Sequence, residues 1–137
     1  MKAIYLDTHV VVWLFSGLRD KLPEVAKIMI ESNDLFICPI VILEIQFLKE
    51  IGRINYSAQE ILEDLLIKIE LKTDDLPFEI AIKKAIEIPW TRDPFDRVIT
   101  ASSIARSFPL ITKDQNILSN YPLAIWNVPR PLAHLPK

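Results

Sequence analysis

The stretch Ala3-Ile4-Tyr5-Leu6-Asp7-Thr8-His9 sets the reading of the whole chain. A short, apolar, β-prone run ends on a carboxylate and on a threonine able to cap a helix, which continues through Val10-Val11-Val12-Trp13-Leu14-Phe15 and stops at Ser16-Gly17. The same order of strand and helix recurs outward from there. Leu22-Pro23-Glu24 opens a second helix with Val25, Ile28 and Met29 as its apolar stripe. Leu35-Phe36-Ile37-Cys38 reads as the second strand, and Pro39 starts a helix carrying Ile42, Leu43, Ile45 and Leu48 that Gly52 ends. Ser57, with Glu60 three residues on, has the spacing of a capping box before the stripe Ile61, Leu62, Leu65 and Leu66. Ile69 to Leu71 is a third strand, and Pro77 to Ile88 a helix in which Ala81 and Ala85 allow close packing. Asp93 caps a helix with Pro94 as its first residue and Arg106 near its end. Leu110-Ile111-Thr112 and Ala124 to Val128 complete five strands. Strands alternating with helices predict an α/β fold whose mostly parallel sheet is covered on both faces.

Composition narrows the function classes. The 137 residues suit one domain, 1–137, and half of them are apolar, enough for a core. Two glycines leave no Gly-rich phosphate loop and no flexible linker. Of ten prolines, Pro129, Pro131 and Pro136 mark a non-helical tail. Cys38, the only cysteine, forms no internal disulfide and reads as a small buried hydrophobe. A carboxylate at Asp7 comes too early for a signal peptide, and no apolar run approaches the ~20 residues of a membrane span, so the expected setting is cytoplasmic, without a membrane. A net charge of −2 does not suit a general nucleic-acid coat, but a local basic rim can still attract phosphates.

Four acids stand where a metal site in such a fold would need them: Asp7, Glu44, Asp96 and Asp114. Strand ends and the helix starts that follow them meet along one edge of a parallel sheet, where ligands bind. Clustered carboxylates repel one another unless a positive charge lies between them, and hard cations such as Mg2+ and Mn2+ suit an all-oxygen site. The pattern points to a metal-dependent hydrolase. Each acid also has a structural reading. Asp7 and Asp114 can cap helices, the latter for residues 116–118, although a capping Thr8 leaves the Asp7 carboxylate free to face outward. Glu44 lies among Ile40, Val41, Ile42, Leu43, Ile45 and Phe47, and glutamate is rarely buried unless paired. Asp93 is the N-cap, and Asp96 the third helical residue, where a carboxylate also favours the macrodipole. Asp96 is the preferred ligand and Asp93 the preferred cap. Thr112 either orients a water or finishes its strand. With only His9 and His134 available no histidine metal site forms, and His9 faces substrate or packs. Arg92 and Arg97 flank the acidic helix start, as surface ion pairs or phosphate contacts. Trp13, Trp90 and Trp126 are expected in the core.

These motifs resemble those of the PIN-domain ribonucleases, in particular VapC-type toxins of toxin–antitoxin pairs. The matching pieces are Leu6-Asp7-Thr8-His9, Glu44 on the helix after the second strand, Arg92-Asp93-Pro94-Phe95-Asp96-Arg97 followed by Val98-Ile99-Thr100-Ala101, and Leu110-Ile111-Thr112-Lys113-Asp114. Together they cover nearly the whole chain, and the Arg-Asp-Pro-Phe-Asp-Arg segment is the most specific. The resemblance implies a three-layer α/β/α sandwich with a five-stranded parallel sheet and endoribonuclease activity dependent on Mg2+ or Mn2+. It places the catalytic acids on Asp7, Glu44, Asp96 and Asp114, with the metal on Asp7, Asp96 and Asp114 and with Glu44 and Asp93 as further ligands. Thr8, His9, Arg97 and Thr112 are the candidate substrate contacts. An RNA substrate, a cognate antitoxin and a homodimer follow as partners. His9 departs from the polar residue common at that position, which bears on substrate choice. A phosphatase with an aspartyl nucleophile would need a second aspartate where His9 stands. A receiver domain would need an early acid pair, which is missing although Asp74-Asp75 imitates its later site. The remaining alternative is a non-catalytic RNA- or protein-binding module on the same fold.

Overall fold

A computed structural model describes residues 2–127. The expected strand residue Val128, the tail prolines and His134 lie outside the described residues. Five strands, β1 (Ala3–Leu6), β2 (Asp34–Ile37), β3 (Lys72–Thr73), β4 (Leu110–Ile111) and β5 (Ala124–Ile125), form one sheet in the order β3-β2-β1-β4-β5. Every pairing is parallel, with Tyr5 opposite both Phe36 and Leu110. Among the described residues seven α-helices and a short 3-10 helix (Arg19–Lys21) connect the strands: α1 (Thr8–Phe15), α2 (Glu24–Ser32), α3 (Ile40–Glu50), α4 (Ala58–Ile69), α5 (Phe78–Ile86), α6 (Pro94–Arg106) and α7 (Gln115–Asn120). Successive residues of a strand point to opposite faces. Ile4, Tyr5 and Leu6 are all fully buried, so helices cover both faces of the central strand and the architecture is a three-layer α/β/α sandwich.

Burial of apolar side chains holds the layers together, at roughly 1.5–3 kcal/mol for each large one fully buried. Ile4, Leu6, Ile37, Ile45, Ile61, Ile99 and Ile111 supply the centre. Cys38 is buried as expected, with its sulfur 3.2 Å from Ser102 Oγ. Polar groups tie the edge strand to the rest. The Tyr5 hydroxyl donates to Asp74, and Arg106 donates from Nε to Asp74 Oδ2 (2.9 Å) and from Nη2 to Asp75 Oδ1 (2.8 Å). The acids of the receiver-like Asp74-Asp75 pair are thus structural partners of Arg106.

Several boundaries and stripes differ from the sequence expectation. The third strand is Lys72–Thr73 and not Ile69–Leu71, because α4 runs through Ile69 and ends on Glu70 in the left-handed conformation (φ 56°). On α2 the buried residues are Ala26 and Ile30, while Ile28 is exposed. On α3 they are Val41 and Ile45, while Leu43 and Phe47, and Ile51 at its C-cap, face outward. On α4, Ile61 and Leu65 are buried and Leu66 is exposed. Apolar residues around most of a helix leave its inward face undecided in sequence. The capping box at Ser57 and Glu60 is present, and Ala81 and Ala85 are buried as foreseen.

A carboxylate-lined cleft at the strand ends

β1 ends on Asp7, and β4 leads through Thr112 and Lys113 to Asp114. Because β1 lies between β2 and β4 in a parallel sheet, these chain ends share one edge. Glu44 arrives from α3 and Asp96 from the first turn of α6. All four acids, with Asp93, line one cleft of about 410 Å³, together with Thr8, His9, Leu48, Arg53 and Lys113.

Local hydrogen bonds fix the ring of acids. Asp7 is itself the N-cap of α1: its Oδ1 accepts from Thr8 N (2.8 Å). Thr8 therefore does not cap, and its hydroxyl instead donates to Glu44 Oε1 (2.5 Å). Thr112 Oγ1 donates to Asp7 Oδ2 (2.6 Å) and accepts from Asp114 N (3.1 Å), joining the two strand ends. Asp114 Oδ1 accepts from Ile117 N (3.0 Å) and caps α7. Asp93 Oδ1 accepts from Phe95 N (2.8 Å) and Asp96 N (3.2 Å) and caps α6, with Pro94 first in the helix. The Asp96 carboxylate alone among the five accepts no hydrogen bond from the described residues.

That isolation shows in its proton affinity. Burial, reinforced by the charges of Asp93, Asp7, Asp114 and Glu44, lifts the Asp96 pKa to about 8. Glu44 is also raised, first by burial and then by Asp7 and Asp93, against the lowering pull of the Thr8 hydroxyl. The cleft thus offers oxygen donors only, crowded by like charge, which in chemistry and charge fits a hard divalent cation. Among the described residues, however, no three Asp, Glu, His or Cys side chains stand in a geometry that could hold a metal ion as they are. The donors are gathered without forming a finished cage.

The expected substrate contacts divide. Thr8 and His9 line the cleft. His9 Nε2 accepts from Lys113 N (3.1 Å), its Nδ1 lies 3.7 Å from Asp7 Oδ2, and its ring meets Trp13 and Trp126 edge-on at 5.5 and 6.1 Å. Burial, helped by Lys113, keeps its pKa below the usual value although Asp7 and Asp114 pull upward. Thr112 is fully buried between the two strand ends and orients Asp7 and Asp114. Arg97 is not in the cleft lining. Its Nε and Nη2 donate to Ala85 O (3.3 and 3.1 Å), which ties α6 to α5. One residue along a helix turns the side chain by about 100°, so adjacency to Asp96 does not put Arg97 on its face. Trp13, Trp90 and Trp126 are half-buried and pack against the edge of the core. The cations that do line the cleft are Arg53 and Lys113. Lys113 was legible from its place between Thr112 and Asp114, whereas Arg53, after Gly52, carries no local signal.

The sequence model of the PIN domain matches residues 4–122. Over 131 residues the chain is 28% identical to ribonuclease VapC22 of Mycobacterium tuberculosis (strain ATCC 25618 / H37Rv), spanning 92% of this chain and 100% of that relative. Two solved structures share the fold at 18% identity. One is VapBC2 from Rickettsia felis bound to a DNA fragment from their promoter, with a TM-score of 0.61 over 91% of this chain and 96% of that one. The other is a toxin–antitoxin complex from Klebsiella pneumoniae, with a TM-score of 0.63 over 91% of this chain and 99% of that one. With the family model matched along most of its length, and the strand order and gathered acids described above, the chain belongs to the PIN-domain family.

Proposed function

We propose that this protein is a divalent-metal-dependent endoribonuclease, using Mg2+ or Mn2+, and the toxin of a toxin–antitoxin pair. The observation that carries the reading is the convergence of Asp7, Glu44, Asp93, Asp96 and Asp114 on one cleft, with the Asp96 carboxylate accepting no hydrogen bond from the described residues. The likeness to ribonuclease VapC22 supports the substrate class. A cognate antitoxin fits the kind of assembly in which the two similar folds were solved. A homodimer fits the exposed Leu43 and Phe47 of α3 and Ile51 just past its end. A cytoplasmic setting suits such a pair.

Asp7, Asp96 and Asp114 would hold the ion, with Glu44 and Asp93 completing its surroundings. When bound, such an ion supplies water activation and neutralises charge growing on the phosphate oxygens. Asp7 is the fixed point, because Thr8 N and Thr112 Oγ1 hold both of its oxygens. Thr8 holds one oxygen of Glu44, and the other would orient the attacking water, take its proton and pass it on to the leaving oxygen. The raised proton affinity of Glu44 suits it to that task. Attack in line with the leaving oxygen then cleaves the RNA phosphodiester without a covalent protein intermediate.

The direct test is Asp7→Asn in the purified full chain. Asn can still cap α1 through its carbonyl oxygen, so the fold is expected to survive while metal-dependent RNA cleavage is lost. Cleavage near the wild-type level in a folded variant would overturn the assignment. Absence of divalent-dependent cleavage in the wild type would favour the non-catalytic binding module.

A further inference from the structure

We propose that Lys113 and Lys21, seated on the ring of Trp13, form with Arg53 a phosphate-binding rim that carries an RNA backbone across the acidic cleft; this rests on the ribonuclease reading. Five carboxylates face the cleft against only two cations in its lining, so a polyanion is repelled unless positive charge meets it at the entrance. The Lys113 ammonium lies 4.8 Å from the Trp13 ring centroid and that of Lys21 5.6 Å from it, within cation–π range. None of Lys21, Arg53 and Lys113 forms an ion pair among the described residues, whereas Lys83 and Arg106 are paired with acids. These three charges are therefore available to an outside anion.

Their positions flank the acids. Arg53 follows α3, the helix that leaves β2 and carries Glu44 and Leu48 into the cleft. Lys113 follows β4, and β1 with Asp7 runs between β2 and β4. A backbone crossing the strand ends meets Arg53 on one side and Lys113 on the other, and Lys21 shares the Trp13 ring with Lys113. Lys113 is also held at its backbone, where N–H donates to His9 Nε2. His9 stacks edge-on against Trp13, so the acid site and the lysine seat are joined through one aromatic cluster. Trp13 is thus a positioning residue: it narrows where two flexible ammonium groups can reach.

The test is the salt dependence of binding, measured by fluorescence anisotropy with a short, mixed-sequence, single-stranded oligoribonucleotide. The full chain carrying Asp96→Asn is used, with Mg2+ present, so that binding is read apart from cleavage. A phosphate contact on a single strand contributes about 0.7 to the slope of log affinity against log salt. Lys113→Gln, Lys21→Gln and Arg53→Gln should each lower the slope by about that amount and weaken binding several-fold. Lys83→Gln, on a lysine paired with Glu79, should change neither. Trp13→Leu should reduce the slope, and Trp13→Phe, which keeps an aromatic face, should restore it. Unchanged slopes in the Lys113 and Lys21 variants, or Trp13→Phe no better than Trp13→Leu, overturn the rim. Cleavage by the wild type with Mn2+ is measured in parallel. Slope losses without any cleavage leave the rim standing and sink the nuclease reading, and cleavage with unchanged slopes does the reverse.

Discussion

At the scale of single residues, Asp7 and Asp96 divide two tasks that compete for a carboxylate. Asp7 has both oxygens held by protein donors and is fixed in place. Asp96 has no such donors among the described residues and meets four other acids, so its pKa is pushed up to about 8, from an ordinary 3.8. Between those two values the metal-free folded state retains a proton that the unfolded chain releases. Stability then falls as pH rises, because the folded state binds more protons. The contribution is most favourable below pH 4 and is lost by pH 8. Melting temperatures of the wild type in EDTA should accordingly drop across this window, and Asp96→Asn should flatten the decline, leaving a smaller slope from Glu44. An equally steep decline in the variant would remove Asp96 as its source. Asp7, Asp96 and Asp114 were legible because each stands beside a strand end or helix start, and Glu44 because it interrupts an apolar helix. Arg97 stands outside the cleft because sequence adjacency says nothing about helix face, and the hydroxyl of Thr112 is committed to Asp7, 105 positions away, a tie no local pattern announces.

At the scale of elements, caps do double work. The start of α6 is held by Asp93, whose one oxygen takes two backbone N–H groups, and this is what aims Asp96 into the cleft. Asp93→Ala should lower stability by about 1 kcal/mol, as for other lost N-caps, and Asp93→Asn should recover most of it. Urea melts of the two variants test this. Equal losses would make the negative charge, and not the cap, the stabilising feature. Helix starts were readable because Ser57, Asp93 and Asp114 are capping residues by chemistry. The end of α4 was not, since Glu70 adopts the left-handed turn that glycine usually marks. The third strand was accordingly placed too early. On α3 Leu43, read as part of the apolar stripe, faces outward in the fold.

At the scale of the whole molecule, a site built from mutually repelling groups lowers the stability of the metal-free protein, and a cation that binds only the folded state restores it. Mg2+ or Mn2+ at a hundred times the dissociation constant should stabilise the fold by ~2.7 kcal/mol. Thermal melts in EDTA and across a Mn2+ titration at constant ionic strength measure the effect. A wild-type midpoint that stays constant up to millimolar metal would remove the metal site. Asp96→Asn should melt higher than wild type in EDTA and respond less to the metal. The sheet order was only partly visible beforehand. Alternating strands and helices announce a parallel sheet, but the two-residue strands β3, β4 and β5 carry too little pattern to fix their neighbours.

The bond between Thr112 and Asp7 spans 105 positions of sequence and is made only when β4 docks beside β1. Synthesis proceeds at about 5–20 residues per second, and an emerging chain folds from its first residues onward. Until residues 110–114 have left the ribosome, Asp7 lacks Thr112 and the cleft lacks Asp114 and Lys113. A nascent molecule can therefore build its first helices and its β1–β2 pair while still lacking the parts that complete the acid cleft. The order of the sheet thus leaves the acid cleft unfinished in any chain length that lacks residues 110–114.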